Sequence, residues 1–143
     1  MEGKRTSPSA GAEYLLDIYV AVGNVEGIAP GVYKYIPEEH AIERVVEGDV
    51  RGNFGEGMLT KAPATMFISA DFKKAIESYG EEDLKYVYME AGHVGQNVYL
   101  QAEALGLGTC AVAGVAGTAY IRETFSIPAN ETGLYLMPVG YYN

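Results

Sequence analysis

The stretch EAGHVGQNVYLQAEALGLGTCAVAG, Glu90–Gly114, begins as a strong helix but carries glycines at Gly92 and Gly95, then ends in a Gly-x-Gly and a run of small residues. Glycine inside a helix costs about 1 kcal/mol relative to alanine, so its use twice in succession implies that something approaches the backbone closely. Val87, Ala91, Val94, Val98, Ala102 and Leu105 recur at spacings of four and three, which lays one apolar stripe along a helix over Asp83–Leu105. Tyr88, Gly92, Gly95 and Tyr99 form a neighbouring stripe, in which the glycines make a shallow notch between two aromatic rings. Such a notch admits another backbone or a flat ligand. Glu90, His93, Asn97 and Gln101 form a third stripe, with Met89 and Leu100 apolar on the far side. A helix apolar or small over most of its circumference belongs between layers or at a subunit interface.

Downstream, Gly106 is placed to cap this helix in the left-handed conformation. Thr109–Gly114 reads as a short buried strand, and Thr118 as the N-cap of a helix running through Phe125 and stopped by Pro128. Gly133–Tyr142 reads as a last strand. Upstream, Tyr14–Val22 is rich in β-branched and aromatic residues and predicts a strand buried on both faces. Gly31–Ile36 and Ala41–Val46 alternate and predict a hairpin through Pro37–His40; Ala64–Ala70 returns to strand character. Gly48–Lys61, with four glycines and little pattern, is expected as a loop or frayed helix. Glu81, Glu82 and Asp83 are expected in the first turn of the long helix, where the macrodipole favours acids. Strands mixed with helices in this order predict an α+β domain with a mostly antiparallel sheet packed on the long central helix.

The chain has 143 residues, within the range of one domain with a core of its own. Its longest apolar runs fall short of the roughly 18 residues a membrane span requires, and MEGKRTSPS at the start has no apolar signal region. Cys110 is the only cysteine, so no internal disulfide forms. A soluble, cytoplasmic protein is expected. With a formal charge of −9 and 10 scattered basic residues, the chain repels a phosphate backbone at long range, which argues against a nucleic-acid partner.

Three segments in order, RTSPSAGAEYLLDIYV (Arg5–Val20), LKYVYMEAGHVGQNVYLQAEALGLGTCAVAG (Leu84–Gly114) and LYLMPVGY (Leu134–Tyr141), resemble signature segments of the nitroreductase-like flavoproteins. The similarity is strongest to the branch of SagB-type thiazoline and oxazoline dehydrogenases. The resemblance implies an FMN-dependent oxidoreductase working as a homodimer with flavin at the subunit interface, and hydride moving between NAD(P)H, or a reduced substrate, and a small electrophilic or azoline-type group. It implies that Pro8, Ser9 and Ala10 reach the flavin edge from the neighbouring subunit. It also implies that Ala111 and Val112 lie against the isoalloxazine, that the amides of Ala113 and Gly114 approach N5 and O4, and that the long helix packs on its symmetry mate at Gly92 and Gly95. Lys85 and Tyr86 resemble the Lys-Tyr couple that azoline dehydrogenases use for proton transfer. Residues 1–143 are expected as a single domain of this kind lacking the usual N-terminal segment and C-terminal extension, which leaves the FMN phosphate to Lys4, Arg5 and backbone amides. Two other readings stay open: a non-catalytic homodimeric scaffold with a decayed flavin site, and a module that stores or senses FMN.

Other chemistry-bearing residues have ordinary readings. His93 is a candidate acid–base group, yet Glu90 three residues earlier is a helix neighbour able to pair with it. Cys110 has no neighbouring base and reads as a buried inert thiol. His40 sits in a turn beside Glu38 and Glu39 without ligand-spaced partners, so no metal site is expected.

Overall fold

A computed structural model describes residues 5–55 and 57–142. Six strands form one antiparallel sheet: β1 (Leu16–Val22), β2 (Gly31–Ile36), β3 (Ala41–Glu47), β4 (Ala64–Asp71), β5 (Leu107–Thr109) and β6 (Glu131–Tyr141), in the order β3-β2-β1-β4-β6-β5. Four helices accompany it: α1 (Met58–Lys61, a single turn), α2 (Phe72–Tyr79), α3 (Lys85–Ala104) and α4 (Ala119–Phe125).

The period-2 alternation of the strands builds two core layers, one on each face of the sheet. On one face Tyr19, Val32, Phe67 and Leu136 are covered by Phe54, Ile121 and Phe125, with the Phe67 and Phe125 rings stacked at 4.5 Å. On the other, Leu16, Ile68, Ala70 and Met137 meet Ala75 of α2 and Val87 and Ala91 of α3. The central strand β4 is therefore covered on both faces. β1 is covered less evenly than its composition predicts, with Asp17, Ile18 and Val20 only half-buried.

Most expected elements appear, with three corrections, and the segment expected as a loop or frayed helix takes a definite form. The chain between Gly48 and Lys61 folds into a 3₁₀ turn at Arg51–Phe54 followed by α1, anchored by the burial of Phe54 and Leu59. Helix α2, absent from the sequence reading, starts because the Asp71 carboxylate accepts the Lys74 N–H at 2.9 Å, an N-cap. Glu81–Asp83 form a separate 3₁₀ turn ahead of α3 rather than its first turn. The strand expected at Thr109–Gly114 is displaced: Gly106, at φ +70°, caps α3 and turns the chain directly into β5, after which only Val112 pairs with the sheet, through Leu136.

Before β1 the backbone takes three left-handed steps, Gly11 (φ +58°), Ala12 (φ +58°) and Tyr14 (φ +50°). These steps fold the segment from Arg5 to Ala10 back along α3. Among the described residues no helix is long and apolar enough to cross a membrane, and no group of three or more His, Cys, Asp or Glu is placed to hold a metal ion.

Candidate functional site

Helix α3 divides the expected site residues into two groups. On one flank lies the loop after β5. Val112 exchanges both backbone hydrogen bonds with Leu136, N–H to O at 2.8 Å and O from N–H at 2.9 Å, which fixes the loop as a continuation of the sheet edge. The Ala111 amide donates to the Tyr99 hydroxyl of α3 at 2.8 Å. The side chains of Ala111 and Val112 are packed into the two core layers, so the loop presents mainly backbone outward.

The next two amides are different. Among the described residues, the N–H groups of Ala113 and Gly114 donate to no group of this chain. Both residues are exposed and border a 410 Å³ cavity with Tyr88 and Ala91 of α3 and with Gly117 and Gly133. Nothing lies within 4 Å of where a Cβ on Gly114 would stand. Unused donors beside small residues and an aromatic ring fit the polar rim of a flat, electron-accepting ring such as that of FMN.

Further along β6 is a second cavity, of 600 Å³, which sequence reasoning missed. Its walls include Asn24, Arg51, Lys61, Thr109, Cys110 and Tyr141, and its lining contains no carboxylate. Thr109 Oγ1 is buried there without a hydrogen-bond partner. Cys110 is exposed, which corrects the expectation of a buried thiol. The only signal in the sequence was a pair of cations within the patternless Gly48–Lys61 segment.

The other flank of α3 holds the N-terminal segment. Ser9 Oγ donates to Glu90 Oε2 at 2.7 Å and accepts the Tyr14 amide at 2.8 Å, while the Tyr79 hydroxyl donates to Ala10 O at 2.8 Å. Asn97 reaches the Thr6 and Ser7 hydroxyls. Glu90 is 4% exposed; burial pushes its carboxyl above the ordinary range, against the pull of the Ser9 hydrogen bond and of Arg5 and His93. Glu90 therefore pairs with Ser9, not with His93, which is exposed.

Arg5 lies 4.5 Å over the Tyr14 ring and 3.7 Å from Glu38, in a 760 Å³ cavity that also carries Asp17 and Glu90. Pro8 is exposed beside Ser9. Lys4 lies outside the described residues. Lys85 Nζ is held by Asp83 at 2.6 Å on the surface, which raises its pKa, and Tyr86 meets Tyr79 edge-on at 5.6 Å. Tyr86, through Tyr79, thus belongs to the N-terminal flank, whereas Lys85, three residues before Tyr88, stands on the surface beside Asp83, and neither lines the Ala113–Gly114 cavity of the same chain. Residues one and two positions apart on a helix point in divergent directions, so Glu90 and Tyr88 face opposite flanks.

The notch expected at Gly92 and Gly95 also divides. Gly95 is buried against β6, where an added Cβ would stand 3.7 Å from Tyr135 and 3.8 Å from Met137 Sδ, while Gly92 is exposed with nothing within 4 Å. Gly95 thus faces its own sheet, where a Cβ would make only ordinary contacts, while Gly92 is the glycine that faces outward. Leu105, assigned to the apolar stripe, lies past the end of α3 and is 62% exposed.

Comparison with known proteins agrees with this architecture. The family model described as "Nitroreductase family" matches residues 1–141. A Methanocaldococcus jannaschii protein named as a nitroreductase is 46% identical over 143 residues, covering 96% of this chain and 71% of that protein. A nitroreductase structure from Anabaena variabilis superposes with a TM-score of 0.83 at 29% identity, over 90% of this chain but 27% of that one. The E. coli microcin synthetase McbBCD complex with truncated pro-MccB17 shares the fold, with a TM-score of 0.84 at 24% identity over 98% of this chain and 56% of that one. The chain thus spans well under two thirds of both solved chains. On its sheet topology, its long helix and a family match that runs almost end to end, this chain belongs to the nitroreductase family.

Proposed function

We propose that the chain is an FMN-dependent oxidoreductase that moves hydride between NAD(P)H, or a reduced substrate, and a small electrophilic or azoline-type group. The observation that carries this reading is the pair of unused amides at Ala113 and Gly114, held rigid by the Val112–Leu136 pairing at the wall of a cavity. FMN, when bound, supplies the hydride chemistry. The protein supplies the rest. Two fixed N–H donors stabilise negative charge that develops on a bound acceptor without having to reorganise. Small residues at Ala113 and Gly114, the latter with open space where a Cβ would stand, leave room for a planar group, and Tyr88, 58% exposed, can stack on one.

The functional unit is a homodimer in this reading. Pro8–Ala10 and Tyr86 lie on the flank of α3 away from Gly114, so a second copy is required to bring the N-terminal segment and the loop to one site. Tyr88, Met89, Leu100 and Leu105 leave an exposed apolar surface along α3 suited to that packing. Lys85 and Tyr86 would then serve as a proton-transfer couple across the interface.

The test is a visible absorbance spectrum of the purified protein, followed by FMN titration and addition of NAD(P)H. Flavin bands, micromolar or tighter binding and bleaching by NAD(P)H are expected. A colourless protein that ignores FMN at high concentration would leave the dimeric scaffold as the better reading.

A further inference from the structure

Accepting the flavin reading above, the charge on the cofactor needs a counterpart in a chain of net charge −9. A phosphomonoester carries between one and two negative charges and is held by charge-assisted hydrogen bonds from cations. Arginine lines a cavity on each flank of the molecule, Arg5 in one and Arg51 in the other. The one around Arg5 is lined by three carboxylates, Asp17, Glu38 and Glu90, against that single cation, so its field is unfavourable for an anion. The one around Arg51 and Lys61 has no carboxylate in its lining; Asp49, outside it, offsets the charge of Arg51, so Lys61 supplies the net positive charge and Arg51 supplies directed N–H donors.

Arg51 is also pre-positioned. Asp49 accepts from Nε and Nη2 along one edge of the guanidinium, at 2.9 and 2.7 Å, and Ala62 O accepts from Nη1 at 3.1 Å. Of the five N–H donors of an arginine, one on each terminal nitrogen stays uncommitted. The side chain runs directly over Gly23, where an added Cβ would meet Nε, Cζ and Cδ inside contact distance. Lys61 makes no ion pair among the described residues. Thr109 Oγ1, buried and unpartnered, offers a third donor.

The cavity is in line with the loop. Residues 133–135 of β6 border the Ala113–Gly114 cavity, and residues 138, 140 and 141 of the same strand border this one. Cys110 and Ala113 are three residues apart, a span of at most about 10 Å, within the reach of a ribityl arm.

We propose that the cavity bounded by Arg51, Lys61 and Thr109 receives the phosphate of FMN, and that this end of the sheet edge, not Arg5, grips the cofactor's charge. Phosphate selectivity then comes from within residues 23–109 of one chain, independently of any second copy.

The test compares FMN with riboflavin, which lacks the phosphate, by fluorescence titration of the wild type, Lys61→Gln, Arg51→Gln, Gly23→Ala and Arg5→Gln proteins. The wild type is expected to favour FMN by about tenfold or more, a preference that shrinks about tenfold in Lys61→Gln and Arg51→Gln while riboflavin affinity is unchanged. Gly23→Ala, which displaces the guanidinium, should reproduce Arg51→Gln, and Arg5→Gln should leave the preference intact. Lys61 is on the surface of a single-turn helix, so its variant is expected to keep the fold, checked by circular dichroism. Equal affinity of the wild type for both flavins would overturn the proposal and spare the flavin reading, as would a preference that survives Lys61→Gln and Arg51→Gln but is lost in Arg5→Gln. Binding of neither flavin would overturn the flavin reading and this proposal with it.

Discussion

The two flanks of α3 solve opposite problems. Towards the N-terminal segment the chain satisfies itself: Ser9 serves both Glu90 and the Tyr14 amide, Tyr79 donates to Ala10, and Asn97 ties Thr6 and Ser7. Towards the β5–β6 edge it leaves donors at Ala113, Gly114 and Thr109 without a partner among the described residues, although each lies on or beside paired strand backbone. A saturated network rigidifies, whereas an unsaturated one on a rigid frame is poised for a ligand. The contrast locates binding capacity by what is missing from the internal accounting rather than by which residues match a motif.

The sharpest way to break the contrast is to unseat the loop flank. A Cβ on Gly133 would stand 2.1 Å from Ala116 O and 2.5 Å from Phe67 Cζ, so Gly133→Ala should cost about 3 kcal/mol in urea unfolding. Wild-type stability in that variant would show that the loop does not rest on β6 as described. Next in size is the pair of helix glycines. Leucine at Gly95 must intrude on Tyr135 and Met137, so Gly95→Leu should lose about 2 kcal/mol whatever the oligomeric state. Gly92→Ala, in open space, should gain up to about 1 kcal/mol from helix propensity. If sedimentation shows Gly92→Leu but not Gly95→Leu dissociating an oligomer, the exposed glycine is the one at the interface.

The smallest effect sharpens the saturated flank through its pH dependence. The Glu90 carboxyl is raised above its ordinary 4.5, burial being the main cause, so the folded chain holds the proton more tightly than the unfolded chain. Its contribution is therefore complete below pH 4.5 and is lost as pH rises through the higher folded value. Glu90→Gln should flatten that part of the stability profile, and Ser9→Ala should steepen it, by about 1–2 kcal/mol at neutral pH, because a buried carboxylate loses a donor. Thermal melts from pH 4 to pH 8 decide it; parallel profiles for wild type and Glu90→Gln would show that Glu90 is not held as the geometry indicates.

Where periodicity was strong, the fold was legible. The strands of the hairpin, Ala64–Ala70, α3, the Gly106 cap and the Thr118 N-cap all follow from spacing and end signals, and Thr118 Oγ1 does accept the Ile121 amide. Helix α2 was overlooked because Phe72–Tyr79 is short and follows β4 with no intervening turn residue; Asp71 was its one legible start signal. The small residues of the loop after β5 were visible in the sequence as a candidate flank. The cation cavity was not, because Arg51 and Lys61 acquire their common wall only through tertiary packing of a segment without periodicity, and no spacing rule brings Gly23 beneath an arginine 28 positions later. The role of Glu90 was misread for the same reason, its partner Ser9 being 81 residues away.

A tyrosine at φ +50° occupies a conformation that disfavours L side chains by roughly 1–2 kcal/mol, and glycine could hold Tyr14's place without that penalty. What the ring adds is a platform for the Arg5 guanidinium. Exchanging Tyr14 for glycine would remove the strain and the platform together, leaving Arg5 to Glu38 alone while the bonds of Ser9, Ala10 and Asn97 keep the N-terminal strap on the helices.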